Sequence, residues 1–142
     1  MAITQALASA FKSEVLQGIH NFAAAGGDTF KLALYTSAAN LDSTTTVYTT
    51  SGESSGPGYT AGGQTLTNVG VSLSGTTAFL DFNDVTWTSA SISAAGALIY
   101  NSTDSNKAVA ILSFGGTYTS TNGNFTVTFP AATSSTAIII LN

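Results

Sequence analysis

The sequence predicts an all-β protein: an antiparallel β-sandwich, jelly-roll or immunoglobulin-like in order, preceded by one N-terminal amphipathic α-helix. Three observations carry this. Short segments alternate apolar and polar residues with period two. Those segments are rich in β-branched and aromatic residues and are punctuated by Gly, Asn and Asp turns. A period near four occurs only at the N-terminus. The 142 residues fit one domain, with the helix over 4–25 and the sandwich over 28–142.

The helix comes first. Leu7, Phe11, Val15 and Ile19 make a stripe that Ala8, Leu16 and Phe22 broaden. Thr4 is positioned to cap its start, and Gly26-Gly27 to end it. His20 reads as a helix-surface or helix-end residue. In 28–37, Phe30, Leu32 and Leu34 alternate with Thr29, Lys31 and Ala33, as in a half-buried strand. The polar stretch 38–58 follows, with a short edge strand at Val47 and Tyr48. Strands are predicted at 64–74, 76–82, 84–92, 95–101, 107–114, 124–130 and 136–141. Residues 101–106 form a hairpin loop. The continuous apolar run Ile138–Leu141 reads as a central strand buried on both faces. Trp87, Phe79, Phe82, Phe114, Phe125 and Phe129 fall on apolar strand positions and read as core.

Composition bounds function. Charged residues make up 7% of the chain, against a typical fraction of about 25%. Ser and Thr fill more than a quarter of it. A surface this short of charge suits packing against neighbours, since charge is depleted at interface cores. Net charge is −4, and the only basic residues are Lys12, Lys31 and Lys107, well separated. Direct nucleic-acid binding and anionic membrane binding need clustered cations and are not expected. Cysteine is absent, which excludes disulfides and thiolate chemistry. The N-terminus lacks the basic start and long apolar run of a signal peptide, and the chain is expected to fold in a cytoplasm.

No stretch predicts catalysis. The segment "GPGYTAGGQTL" (56–66) is glycine-rich, but it leads into a strand and has no cation to meet a phosphate. Its glycines read as turn makers. Tyr59 is then either packed or displayed as a contact residue. Asp81 and Asp84 are the one close carboxylate pair. They could flank a glycoside or join Asn83 around Ca²⁺, and they read first as turn residues. His20 is the only histidine, and it lies on the N-terminal segment, far in sequence from any candidate serine nucleophile. No catalytic residue, cofactor or metal is expected. Candidate interface residues are Phe11, Val15, Pro57, Tyr59 and Tyr118.

Five stretches in order carry a resemblance: "TQALASAFKSEVLQGIHNF", "DTFKLALYTSAANLDSTTTVYTT", "GPGYTAGGQTLTNV", "GALIYNSTDSNKAVAILSFGG" and "FTVTFP". Together they resemble a family of small tailed-bacteriophage virion structural proteins over nearly the whole chain. The resemblance implies a virion location and no catalytic motif. A decoration or cement protein on the head lattice is the favoured expectation. The major capsid protein or other virion proteins are its partners, it is a homo-oligomer, and the helix and the 38–58 stretch are its arms. The alternative is a tail, baseplate or fibre component binding host-surface carbohydrate through Tyr59, Tyr118 and the loops 52–63 and 115–124.

Overall fold

The computed structural model describes residues 2–141. Along the chain come β1 (Ala6–Leu7), α1 (Ser9–Leu16), β2 (Phe30–Tyr35), β3 (Gln64–Thr65), β4 (Asn68–Ser74) and β5 (Thr77–Phe82). Then follow β6 (Val85–Ala90), β7 (Ser93–Asn101), β8 (Lys107–Thr119), β9 (Gly123–Val127) and β10 (Ile139–Leu141). They form antiparallel sheets ordered β1-β8-β7-β2-β3, β10-β5-β4 and β6-β9. The result is the expected all-β sandwich with a single helix. Between its layers, Phe22 stacks on Phe30 at 4.3 Å, and Phe82 bridges them to Phe129. The β7–β8 hairpin closes around 101–106 as the turn chemistry requires, with Asn101 opposite Lys107.

The helix is much shorter than 4–25. Ala6 and Leu7 pair with Ile111 and Ala110 on β8 instead of joining it. Its N-cap is Ala8, whose side chain makes no capping bond, not Thr4. It stops at Gln17 because Gly18 takes a left-handed φ of +73°. Ile19 and Phe22 therefore lie beyond the helix. Leu16 points to solvent, 88% exposed, and does not broaden the stripe.

Three further expectations change. β2 is buried along nearly its whole length rather than on one face, because the 38–58 stretch folds over it. Ala39 and Leu41 are buried, Tyr35 Oη donates to the Thr49 carbonyl, and Tyr48 stacks on Tyr100 at 4.8 Å. That stretch covers β2 within the chain. The chain exposes 6861 Å², close to the roughly 6,800 Å² of a compact monomer of its 14.3 kDa mass. The predicted strand 64–74 is two strands, since the chain crosses from β2's sheet to β5's at Leu66-Thr67. β10 is a three-residue edge strand, not a central one, and Leu141 is half exposed. Among the described residues only β5 pairs with it, so its apolar run covers a groove wall instead of filling the sandwich centre.

Candidate functional site

Among the described residues, three polar clusters and two open grooves, one of them beside α1, hold side chains that could act. The glycine loop belongs to the first cluster. Glu53 lies against it, and its Oε1 accepts Tyr59 Oη–H at 2.7 Å and the Gly62 N–H at 2.7 Å. Its Oε2 accepts Tyr48 Oη–H at 2.6 Å. Tyr59 Oη also receives the Leu34 N–H, and its ring packs 5.9 Å from Trp87. Tyr100 Oη donates to the Gly62 carbonyl. The glycines thus cradle a carboxylate of this chain, not a phosphate. Gly63, at φ +78°, has no room for a Cβ, which would strike the Leu32 carbonyl. Burial first, then the Glu53 charge, pushes the Tyr48, Tyr59 and Tyr100 phenols above their ordinary value, so all three remain donors. The cluster locks 38–58 and the glycine loop onto β2 and leaves Glu53 no free oxygen for a substrate.

His20 anchors the second cluster and is buried, contrary to the surface expectation. The Asn101 Oδ1 accepts the Thr103 and Asp104 N–H groups, which fixes its amide orientation. Its Nδ2 then donates to His20 Nδ1 at 3.0 Å and to Asp28 Oδ2 at 2.8 Å. His20 Nδ1 is therefore an acceptor, and Nε2–H donates to Glu14 Oε1 at 2.9 Å. Burial opposes ionisation of Asp28, but bonds from Asn101 and the Asn21 N–H outweigh it and hold its carboxyl below the usual range. Neither ring nitrogen is left for catalysis. The network ties the segment after α1 to the β7–β8 hairpin.

The third cluster is the carboxylate pair. Asp84 Oδ1 accepts the Phe129 N–H at 2.8 Å, a bond to a residue 45 positions along the chain and not the local turn role expected of it, and Asp81 lies within β5. Asp81 is 3% exposed; its Oδ1 accepts the Phe82 N–H at 2.9 Å, and its Oδ2 has no partner among the described residues. Burial first, and the neighbouring Asp84 charge, raise the Asp81 carboxyl above its ordinary 3.8. The folded chain therefore holds this proton to higher pH than the unfolded chain does. Stability from this group is full below 3.8 and declines as pH rises through the folded value. Asp81→Asn is expected to stabilise the protein at pH 7 by about 1–2 kcal/mol, because it removes a buried carboxylate that faces the Asp84 charge and that the Phe82 and Ile138 N–H groups only partly offset. The gain should vanish near pH 3, and a wild type that melts above the variant at pH 7 would contradict it. Among the described residues, no three His, Asp or Glu side chains gather as metal ligands.

The groove lies between α1 with the segment after it and the face of the β10-β5-β4 sheet, and encloses about 700 Å³. Register places Val71, Leu80 and Ile139 in one row of that face and Leu73, Ala78 and Leu141 in the next. Phe11, Val15 and Phe22 line the opposite wall, and no Asp, Glu, Lys or Arg reaches it. Its rim is unusually apolar: Leu73 is 74% exposed and Val71 58%. β4 also ends its sheet, with neither a charge nor a proline along it.

The five candidate interface residues are thus scattered. Val15 lines the groove, and Phe11 forms its base while 3% exposed within the core. Tyr59 points inward to Glu53 and Leu34. Pro57 is exposed, and its carbonyl accepts the Ser91 N–H. Tyr118 is exposed at the far end of β8. Sequence reading missed Glu53, Val71, Leu73 and Leu141. Glu53 had one visible signal, as the sole carboxylate between Asp42 and Asp81 in a tyrosine-bearing stretch. Comparison with protein-family models, with curated proteins and with solved structures finds no match for this chain.

Proposed function

We propose that this chain is a structural protein of a bacteriophage virion, a decoration protein that clamps the head lattice by protein–protein contacts and catalyses nothing. The observation that carries this reading is the uncharged groove beside the unguarded β4 edge. An edge strand without charge or proline is a template for pairing with another chain. The exposed Val71 and Leu73 would be buried by a partner that covers the groove mouth. The low charge of the whole chain agrees, as do the five stretches that resemble phage virion proteins.

The test is cosedimentation with assembled phage heads that lack the protein. Saturable binding that raises the temperature of head disruption is the expected result. The double variant Val71→Lys, Leu73→Lys should keep its melting temperature within a few degrees, as exposed sites do, and bind at least tenfold more weakly. Binding to tails alone, or equal binding by the variant, would overturn the proposal.

A further inference from the structure

We infer a second site, a groove for a neutral saccharide between the distal half of β8 and β9. It shares no lining residue with the first groove, and it stands whether or not the chain sits on a phage head. β8 leaves β7 after Ser113, which pairs with Gly96, and rejoins it at Tyr118, which pairs with Ala94. The residues between flare away from the sheet, with Gly115 at φ +78°. The flare and β9 bound a groove of about 700 Å³, within the usual range for small-molecule sites of roughly 300–1,000 Å³.

Its chemistry is specific. Phe114 meets Tyr118 edge to face at 6.5 Å, and Phe125 lies 6.5 Å from Phe114 on the other side. Tyr118 is 58% exposed, and its hydroxyl bonds to no described residue. The hydroxyls of Thr121 and Thr128 and the amide of Asn124 also line the groove, without a side-chain hydrogen bond to any described residue. No charged side chain lines it.

A sugar ring presents an apolar C–H face and a rim of hydroxyls. The aromatic pair matches the face, because tyrosine offers much rigid contact area at low entropic cost. The free hydroxyls and amide match the rim, since each can both donate and accept. An anionic or cationic ligand would be desolvated here without a counter-charge. A purely apolar one would leave these polar groups buried and unpaired. A neutral glycan satisfies both halves of the groove.

The test is saturation-transfer NMR on the whole chain with maltotriose, cellotriose, triacetylchitotriose and mannotriose. At least one should bind saturably. Tyr118→Ala should weaken that binding at least tenfold, and Thr128→Val severalfold, with melting unchanged because both positions are exposed. Absence of binding across all four sugars, or binding that Tyr118→Ala leaves intact, would overturn the inference. Neither result bears on cosedimentation with heads, so the two proposals fail separately.

Discussion

Glu53→Ala is expected to destabilise the folded chain by about 3–5 kcal/mol. Hydrogen bonds to a charged acceptor contribute about 1.5–3 kcal/mol each, and three converge on this carboxylate. The alanine would leave Tyr48 Oη, Tyr59 Oη and the Gly62 N–H facing each other without an acceptor. The three effects are coupled, so they sum to less than their parts. In calorimetry the melting temperature should fall by about 10–15 °C for a chain of this size. Glu53→Gln should cost about half as much, because one amide oxygen still accepts while the amino group faces donors. A fall of less than about 3 °C for the alanine variant would show that the loop is held by its apolar contacts alone. Hydrogen exchange gives a second readout. The Gly62 and Leu34 amides, bonded to Glu53 and to Tyr59 Oη, should lose protection before the β7–β8 amides do.

Phe11→Ala is expected to cost about 3–5 kcal/mol as well, the usual range for truncating a buried aromatic. The Phe11 ring lies 4.9 Å from the His20 ring and 5.9 Å from Phe22. Removing it opens a void beneath the groove and unseats the ring that bonds Glu14 and Asn101. The isolated protein should therefore melt about 10–15 °C lower, whatever it binds. Had the helix served only a partner, the same change would spare monomer melting and impair assembly alone. Leu16→Ser is the control, and its effect should lie within about 0.5 kcal/mol because that side chain is almost wholly in water. Comparable losses for both variants would place the error in the burial of α1.

Much of the strand content was legible because each strand writes its burial into its own residues. Phe125 and Val127 face inward, and Asn124, Thr126 and Thr128 face out, as the period-two pattern requires. The 101–106 hairpin was legible because turn chemistry is local. The helix was overread because its apolar stripe runs on through Gly18. Phe22 buries itself from an irregular segment just as well as from a helix, while Ile19 stays only partly buried. Tyr59 could be read as core or contact until a partner was known, and Glu53, the residue that decides it, lies six positions away in a loop without periodicity.

The amino-acid sequence by itself determined the class of the fold, the positions of most strands and the charge-poor character of the surface. These follow from local periodicity and composition, which need no knowledge of neighbours. Only the tertiary structure decided that β10 is an edge, that the chain changes sheets after Thr65, that 38–58 covers β2, and that two uncharged grooves open on the surface. An apolar residue's sequence says that it leaves water and not what it meets. Pairing across many residues of chain is fixed only when all such burials are satisfied together.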